Sequence, residues 1–444
     1  HSLARPFIRQ GTQQLSFLRL RLLGWCFLCL GVAFPVKASE EVHLSIEAEP
    51  KVKNVQRIGV NLGTWTSWGA EQLMANVLKN PGFEGLIDRA VVVVKWRGER
   101  RFTDDAGWLA RPDGFWTGAR YDVRTGPSAG ALGRVVDSRR AGRDGLPEFI
   151  TDEEAPPLTP GDIVTLTRQS DALLPTHWWI AADARGQVTT TPGQLRPGSS
   201  GKRALSLTVV AKRPAEVASY LDTVGERAGK LLPVTGMWRL AFWCRAENGD
   251  STLDVEFRRQ GAVPFFSQTV MLERDWKQFV FTFNAVDSGA PAALALRFRA
   301  SGEQGRIFLD DVELAQASTV KEQEAPNAFR AEVVEALRRL QPGYLRDWQG
   351  QLGDTLANRL AEPAARRASR YRPDGPDGAD YGYSLPEFLD LCRQIGACPW
   401  IIVPTTFNDE DLVGLGQFLA NRQLSDRFAE ILLEFGNENW NAIF

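Results

Sequence analysis

Histidine is nearly absent from this chain: His1, His43 and His177 are the three in 444 residues, which excludes a histidine-rich metal centre. Cysteine is scarce too. Of the five, Cys26 and Cys29 sit close together near the start, and Cys244, Cys392 and Cys398 form an odd set that gives no disulfide framework. There is no long basic run, and the formal charge is −2, which argues against a nucleic-acid partner. There is also no apolar run long enough to cross a membrane: the longest, Leu22 to Phe34, has 13 residues, whereas a spanning helix needs roughly 20.

That run has a different meaning. Arg5, Arg9, Arg19 and Arg21 precede it, and "PVKAS" follows, with Val36 and Ala38 as the small residues before a cleavage point. Residues 1–38 are therefore expected to be a secretory signal peptide, with an uncleaved anchor as the other reading. Removing them takes five Lys/Arg and no acid, leaving 47 basic against 54 acidic residues and a charge of −7. The expected location is secreted, periplasmic or extracellular, with no membrane contact after cleavage. Residue 1 is His rather than Met, and the last residues follow directly on a motif. The expectation is a fragment of a longer reading frame.

The length predicts two or more domains, and the texture changes along the chain. Residues 55–80 read as a short strand, "RIGVNLGTWTSW", and a helix, "GAEQLMANVLKN". Residues 81–318 are rich in Gly, Pro, Thr, Val and aromatics. There "GMWRLAFWCRA", "STLDVEFRR", "KQFVFTFNAV", "ALALRFRAS" and "GRIFLDDVELA" alternate with a period near two, the pattern of a β-sandwich. Residues 104–200 are loop-heavy and carry the weakest periodicity. From 326 to 444, helices alternate with continuous apolar strands: "GYLRDW", then "SLPEFLDLCRQIGA" with a Ser384–Glu387 capping box and Gly396 at its end, then "CPWIIVPT", "DEDLVGLGQFLANRQ" and "ILLEF". This alternation predicts a parallel α/β unit. The fold class expected is α/β plus all-β: about the first four strands of a (β/α)8 barrel with a β-sandwich inserted after its first strand and helix.

In a parallel barrel the functional residues lie at the C-terminal ends of the strands. Each end here is polar: Arg346, Asp347, Trp348 and Gln349; Thr405, Thr406 and Asn408; Asn437, Glu438, Asn439 and Trp440. Tryptophan beside amides and carboxylates suits sugars, whose C–H faces stack on rings while their hydroxyls demand hydrogen bonds. Glu438 is the sharpest candidate. Glycoside hydrolysis needs one carboxylic acid to protonate the leaving oxygen and a second carboxylate across the bond, and apolar walls raise a carboxyl pKa toward neutrality. The bland reading of an isolated Asn-Glu is a solvated loop after a core strand.

The surroundings of that pair carry a resemblance. "LEFGNENW" resembles the strand-4 signature of clan A glycoside hydrolases, whose Asn-Glu pair is sugar-hydroxyl ligand and general acid/base. "IGVNLGTWTSWGAEQLMANVLKNPGFE", "LRRLQPGYLRDWQG" and "YGYSLPEFLDLCRQIGACPWIIVPTT" together resemble the family 51 α-L-arabinofuranosidases over about 150 residues at the two ends of the chain. "NPGFE" through "DWKQFVFTF" and "IFLDDVELA" resembles carbohydrate-binding modules of families 4 and 9, with Trp276 and Asp310 as structural positions. The resemblance implies a secreted retaining glycosidase acting on polysaccharide. Glu438 is then the acid/base, and Asn437, Arg346, Trp440, Asn439, Trp65 and Asp347 line the substrate site. Two departures stand out. Gly63 occupies about the place of a family Glu that touches arabinose, and Arg346-Asp347-Trp348-Gln349-Gly350 replaces an Arg-aromatic-Pro-Gly-Gly strand end. The clan's nucleophile lies on a seventh strand, which these residues do not include, so they are expected to be inactive by themselves.

The same residues admit a non-catalytic carbohydrate-binding or exopolysaccharide-associated protein, and a structural surface protein whose sandwich contacts other proteins. Trp108, Phe115, Trp116 and Tyr121 are either a sugar platform or core packing. Trp178 and Trp179 are adjacent on a strand, so at most one faces solvent. No cofactor is expected beyond a structural calcium ion at Asp310 and Asp311, and two adjacent acids alone do not make a calcium site.

Overall fold

The computed structural model describes residues 58–63, 73–107, 110–171, 174–184, 186–210, 213–224, 227–230, 232, 234–248, 251–302, 304–317, 328–347, 354–370 and 382–437. The expected signal peptide lies outside them. Among the described residues the fold is mostly β with few helices, and none of the helices is long and apolar enough to cross a membrane.

Four strands, Gly59–Leu62, Tyr344–Asp347, Cys398–Val403 and Leu432–Phe435, form a parallel sheet in that order. Helices Ala331–Leu340, Leu385–Ile395 and Asp409–Asp426 precede the second, third and fourth strands. The middle helix starts where Ser384 N–H donates to the Glu387 carboxylate at 2.6 Å and stops at Gly396, φ 74°. Its apolar stripe, Leu385, Phe388, Leu389 and Cys392, packs with Leu345, Ile401 and Val403 of the sheet. The helices cover one face over the inner strands, while Leu433 and Phe435 of the fourth strand stay exposed at 59% and 58%.

The helix expected over residues 69–80 is not formed in its described part. Met74 makes a bridge to Phe329 and Asn76 one to Ala315. The Asn76 amide donates to Val312 O at 3.1 Å and accepts from Leu314 N–H at 3.1 Å. A side chain that pairs with a strand edge draws the backbone out of a helix, and tertiary pairing overrides local propensity.

The interval 81–318, expected as one sandwich, holds two β units. The first is a closed six-stranded antiparallel barrel. Leu86–Gly98, Arg101–Asp104, Glu148–Thr151, Leu132–Arg139, Arg120–Val123 and Ile163–Ser170 pair in that circular order, and the last closes on the first. Closure leaves no free sheet edge among the six. Its core includes Val92, Phe102, Trp116, Tyr121, Phe149 and Leu166. Trp116 and Tyr121 are therefore packing residues, at 4% and 3% exposure, and not a sugar platform.

The second unit is a sandwich of two five-stranded sheets. One is built on Thr235–Ala246 and Gly305–Gln316, the other on Thr252–Arg259 and Leu294–Ser301. Trp238, Phe242, Phe257, Phe298 and Leu309 fill the space between them. Trp178 is buried, donating its indole N–H to Asn80 O at 3.0 Å, while its neighbour Trp179 is 49% exposed, as alternation requires. Asp310 is fully buried. It accepts from Asp311 N–H at 2.9 Å and Arg196 N–H at 3.2 Å, and the Arg196 side chain pairs with Asp311.

Burial, followed by the charge of Asp311, pushes the Asp310 carboxyl up to about 7. An unfolded Asp titrates near about 3.9. The folded state thus holds the proton more tightly, and the contribution to stability is fully present below about pH 4 and lost as pH rises through about 7. Asp310→Asn removes the charge and keeps one of the two acceptor oxygens, a loss that does not vary with pH. Its melting temperature relative to wild type should climb between pH 5 and pH 8.5, and a difference independent of pH would contradict this account.

Candidate functional site

The register of the parallel sheet sets Asn61, Arg346 and Trp400 side by side, with Glu434 paired to Ile402 two positions further along the same face. Arg346 grips Glu434 with both ends of its fork, Nε to Oε2 at 2.9 Å and Nη2 to Oε1 at 3.0 Å. The Trp400 indole N–H donates to the same Oε2 at 2.9 Å, and the guanidinium carbon of Arg346 lies 5.5 Å from the Trp400 ring centre. Arg346 also donates to Asn61 Oδ1 at 3.3 Å and to Asn437 Oδ1 at 2.5 Å. A bidentate Arg–carboxylate pair with further acceptors holds a rigid polar plane.

Gly436 explains how Asn437 arrives there. It follows the fourth strand with φ 68°, a left-handed conformation that glycine adopts without strain, and its N–H donates to Val403 O at 2.8 Å. The chain turns off the sheet, and Asn437, 4% exposed, meets Arg346. Glu438 is the next residue in sequence.

Asp347 faces the other way. Neighbouring strand residues project to opposite faces, so Arg346 and Asp347 cannot both line one pocket. Asp347 is fully buried on the helix-covered side, where Arg359 Nη2 donates to it at 2.7 Å. Arg359 also donates to Ile402 O at 3.1 Å. Burial pushes the Asp347 carboxyl up to about 6 against the opposing pull of Arg359 and Arg346. The expected substrate ligand is thus an internal brace.

The third strand end is likewise occupied. The Thr406 carbonyl accepts from Arg89 Nη2 at 2.8 Å, and the Phe407 carbonyl from Arg124. The Asn408 side chain accepts from Asp411 N–H at 2.8 Å, capping the helix, and donates to Asp122 at 3.3 Å. Arg89, Arg124 and Asp122 all belong to the six-stranded barrel or its adjoining loop, so that unit docks where sugar ligands were expected. Burial lowers the Arg89 guanidinium to about 10, opposed by Asp411 and Asp354.

Of the residues expected in the site, the structure brings together Arg346 and Asn437 and sets Asp347 apart. Glu438, Asn439, Trp440 and Trp65 lie outside the described residues. Glu434, Trp400 and Asn61 were not anticipated. The signal for Glu434 was a lone acid within the apolar run "ILLEF", even in register with Arg346 across the sheet. Among the described residues no group of three or more His, Cys, Asp or Glu is placed to hold a metal ion.

No model of a known protein family matches the chain, and no curated protein matches it. Solved structures resemble it remotely. An arabinose-bound family 51 α-L-arabinofuranosidase aligns with a TM-score of 0.43 and 13% identity, over 60% of this chain and 48% of that one. The chain thus spans about half the length of that structure. A family 61 carbohydrate-binding module in complex with β-1,4-galactotriose aligns at 0.23 and 15%, over 32% of this chain and 88% of the module. A family 4 carbohydrate-binding module aligns at 0.23 and 19%, over 33% and 92%.

Removing one partner of a buried ion pair strands the other charge. Arg359→Met should therefore lower unfolding stability by about 3–5 kcal/mol in urea titrations. Adding Asp347→Leu should recover most of that loss, because no orphaned carboxylate is left. If the double variant is as unstable as the single one, Asp347 is not the brace described here.

Proposed function

We propose that this chain is the first part of an exported retaining glycoside hydrolase acting on polysaccharide, with α-L-arabinofuranosidase-like specificity and Glu438 as general acid/base. In this reading the four parallel strands are the first four of a (β/α)8 barrel, and the Arg346 face lines its interior. The observation that carries it is the contact of Arg346 with Asn437 at the C-terminal end of a parallel sheet, one residue before Glu438. That position is where such sheets place chemistry.

The chemistry follows in two steps. Glu438, protonated, gives its proton to the glycosidic oxygen as the bond to the anomeric carbon breaks, and a second carboxylate on the opposite face bonds to that carbon. Glu438, now ionised, takes a proton from water as the water oxygen displaces the carboxylate. The two carboxyls must stand about 5–5.5 Å apart. Asn437 offers a hydrogen bond to the hydroxyl beside the reacting carbon, and Arg346, held by Glu434, fixes the Asn437 amide. No second carboxylate is assigned among these 444 residues.

A non-catalytic carbohydrate-binding protein is the second reading. In its favour, Arg346 already has protein acceptors in Glu434, Asn61 and Asn437, so its face is a finished polar platform.

The test uses the longest reading frame containing these residues, wild type and Glu438→Gln, on a panel of aryl glycosides beginning with arabinofuranoside. General acid/base catalysis contributes about 10²–10⁴-fold, so the variant should lose activity on that scale. Equal inertness of both proteins, with polysaccharide binding retained, would put the second reading in place of the first.

A further inference from the structure

One rim of the six-stranded barrel carries a cleft of about 400 Å³, lined by Trp96, Arg101, Arg139, Arg143 and Glu148 among others. It belongs to a different unit from the parallel sheet and shares no residue with the Arg346 face. Three guanidinia meet one carboxylate in the lining, and with the adjoining Asp144 the local charge is +1 on a chain whose formal charge is −2. Glu148 is 3% exposed and stands 3.6 Å from Arg101, so it compensates one of the three. Arg143 keeps its side chain half-exposed, with the exposed Asp144 at 3.5 Å.

The cleft has a fixed shape. The pairing of Leu86–Gly98 with Arg101–Asp104 shifts register between Val94 and Trp96, and such a bulge re-aims the side chain that follows. The Trp96 ring then lies along its own strand: a Cβ on Gly98 would come within 2.5 Å of it. Arg143 stacks over that ring with its guanidinium carbon 4.1 Å from the centre. Its loop is tightly closed, Gly142 N–H to Leu146 O at 2.8 Å, with Asp144 at φ 58°. A Cβ on Gly142 would strike the Glu148 Cβ at 2.4 Å, so glycine lets the Arg143 loop press against the acid.

We infer that this rim cleft is a binding site for a carboxylate-bearing saccharide, a uronic acid unit of an acidic oligosaccharide. Arg101 has Glu148 and Arg143 has only the exposed Asp144, so the lining keeps an excess of positive charge, and the planar guanidinium fork matches a carboxylate in geometry. The cleft is far larger than one small oxyanion and falls within the size range of small-molecule sites. Trp96, partly buried in the lining, supplies the apolar contact that a sugar ring adds to its charge. The choice of a saccharide over another organic acid rests on the carbohydrate reading above.

The test is titration calorimetry of the full chain with a galacturonic acid oligomer, its fully methyl-esterified counterpart and inorganic sulfate. The comparison protein is the double variant Arg139→Ser, Arg143→Ser, which alters exposed side chains and leaves the Arg101–Glu148 pair intact. The acid oligomer should bind, the ester at least about 10-fold more weakly. The variant should lose at least about 10-fold toward the acid at an unchanged melting temperature. Equal binding of acid and ester, wild-type affinity in the variant, sulfate binding as tight as the oligomer, or no binding of the acid would each overturn the site. Glycoside cleavage by the same variant separates the two proposals: it depends on Glu438 and should be unchanged.

Discussion

The architecture depends on one constraint: where the β units meet the parallel sheet, buried arginines must find acceptors for their charge. Arg89 shows it most clearly. It stands on a barrel strand, 3% exposed, and donates to the carbonyls of Asp354 and Thr406. A buried guanidinium without such acceptors would cost several kcal/mol. Within the barrel and beside it, Asp88 pairs with Arg168 at 3.3 Å and Arg370 at 2.6 Å, and Glu84 accepts from Arg203 N–H of the sandwich at 3.0 Å. Strand Ala368–Arg370 runs parallel to Leu86–Asp88, so the segment between the second and third sheet strands becomes part of the barrel's own sheet. The inserted unit is stitched to the sheet by backbone as well as by charge.

This junction decides what the sheet can offer a ligand. The third strand end is committed to Arg89, Arg124 and Asp122, and the helix that starts at Asn408 inherits its cap from the same contact. The second strand divides its two polar residues between faces, Arg346 to the open side and Asp347 to the helices. What remains available is the plane of Arg346, Glu434, Trp400 and Asn437. That plane is neutralised internally, which suits recognition of uncharged hydroxyls better than recognition of an anion.

Much of this was legible in the sequence, for identifiable reasons. The helix at Leu385–Ile395 carried its capping box, its apolar stripe and its terminal glycine in consecutive residues, and the apolar strands beside it were long enough to show a parallel sheet. Arg346 and Asn437 could be paired because each closes such a strand. The six-stranded barrel was illegible because Arg101–Asp104, Arg120–Val123 and Glu148–Thr151 are four residues each, too short for alternation to rise above the turns around them. Asp347 was misplaced because a strand end was read as a cluster and not as two faces. Asn76 was misplaced because its amide pairs with residues 312 and 314, which nothing near it in sequence announces.

The arginine clusters separate by how completely their charge is met. Arg259 is fully buried and spends its fork on Asp222 at 3.1 Å, Asp287 at 2.7 Å and the carbonyls of Gly229 and Ala292 near 3 Å. Arg346, partly buried, is matched by Glu434 and two amides. Both have the acceptors that a structural guanidinium needs. At the barrel rim three guanidinia share one buried carboxylate, and folding still presses Arg143 flat on Trp96. The rim is also held by two glycines whose absent side chains permit the close approach of Trp96 and Glu148. A rim whose positive lining exceeds its buried carboxylate and whose loop is held in place differs from a solvated charge run, which gains its freedom by staying mobile, and resembles a site prepared for an anion.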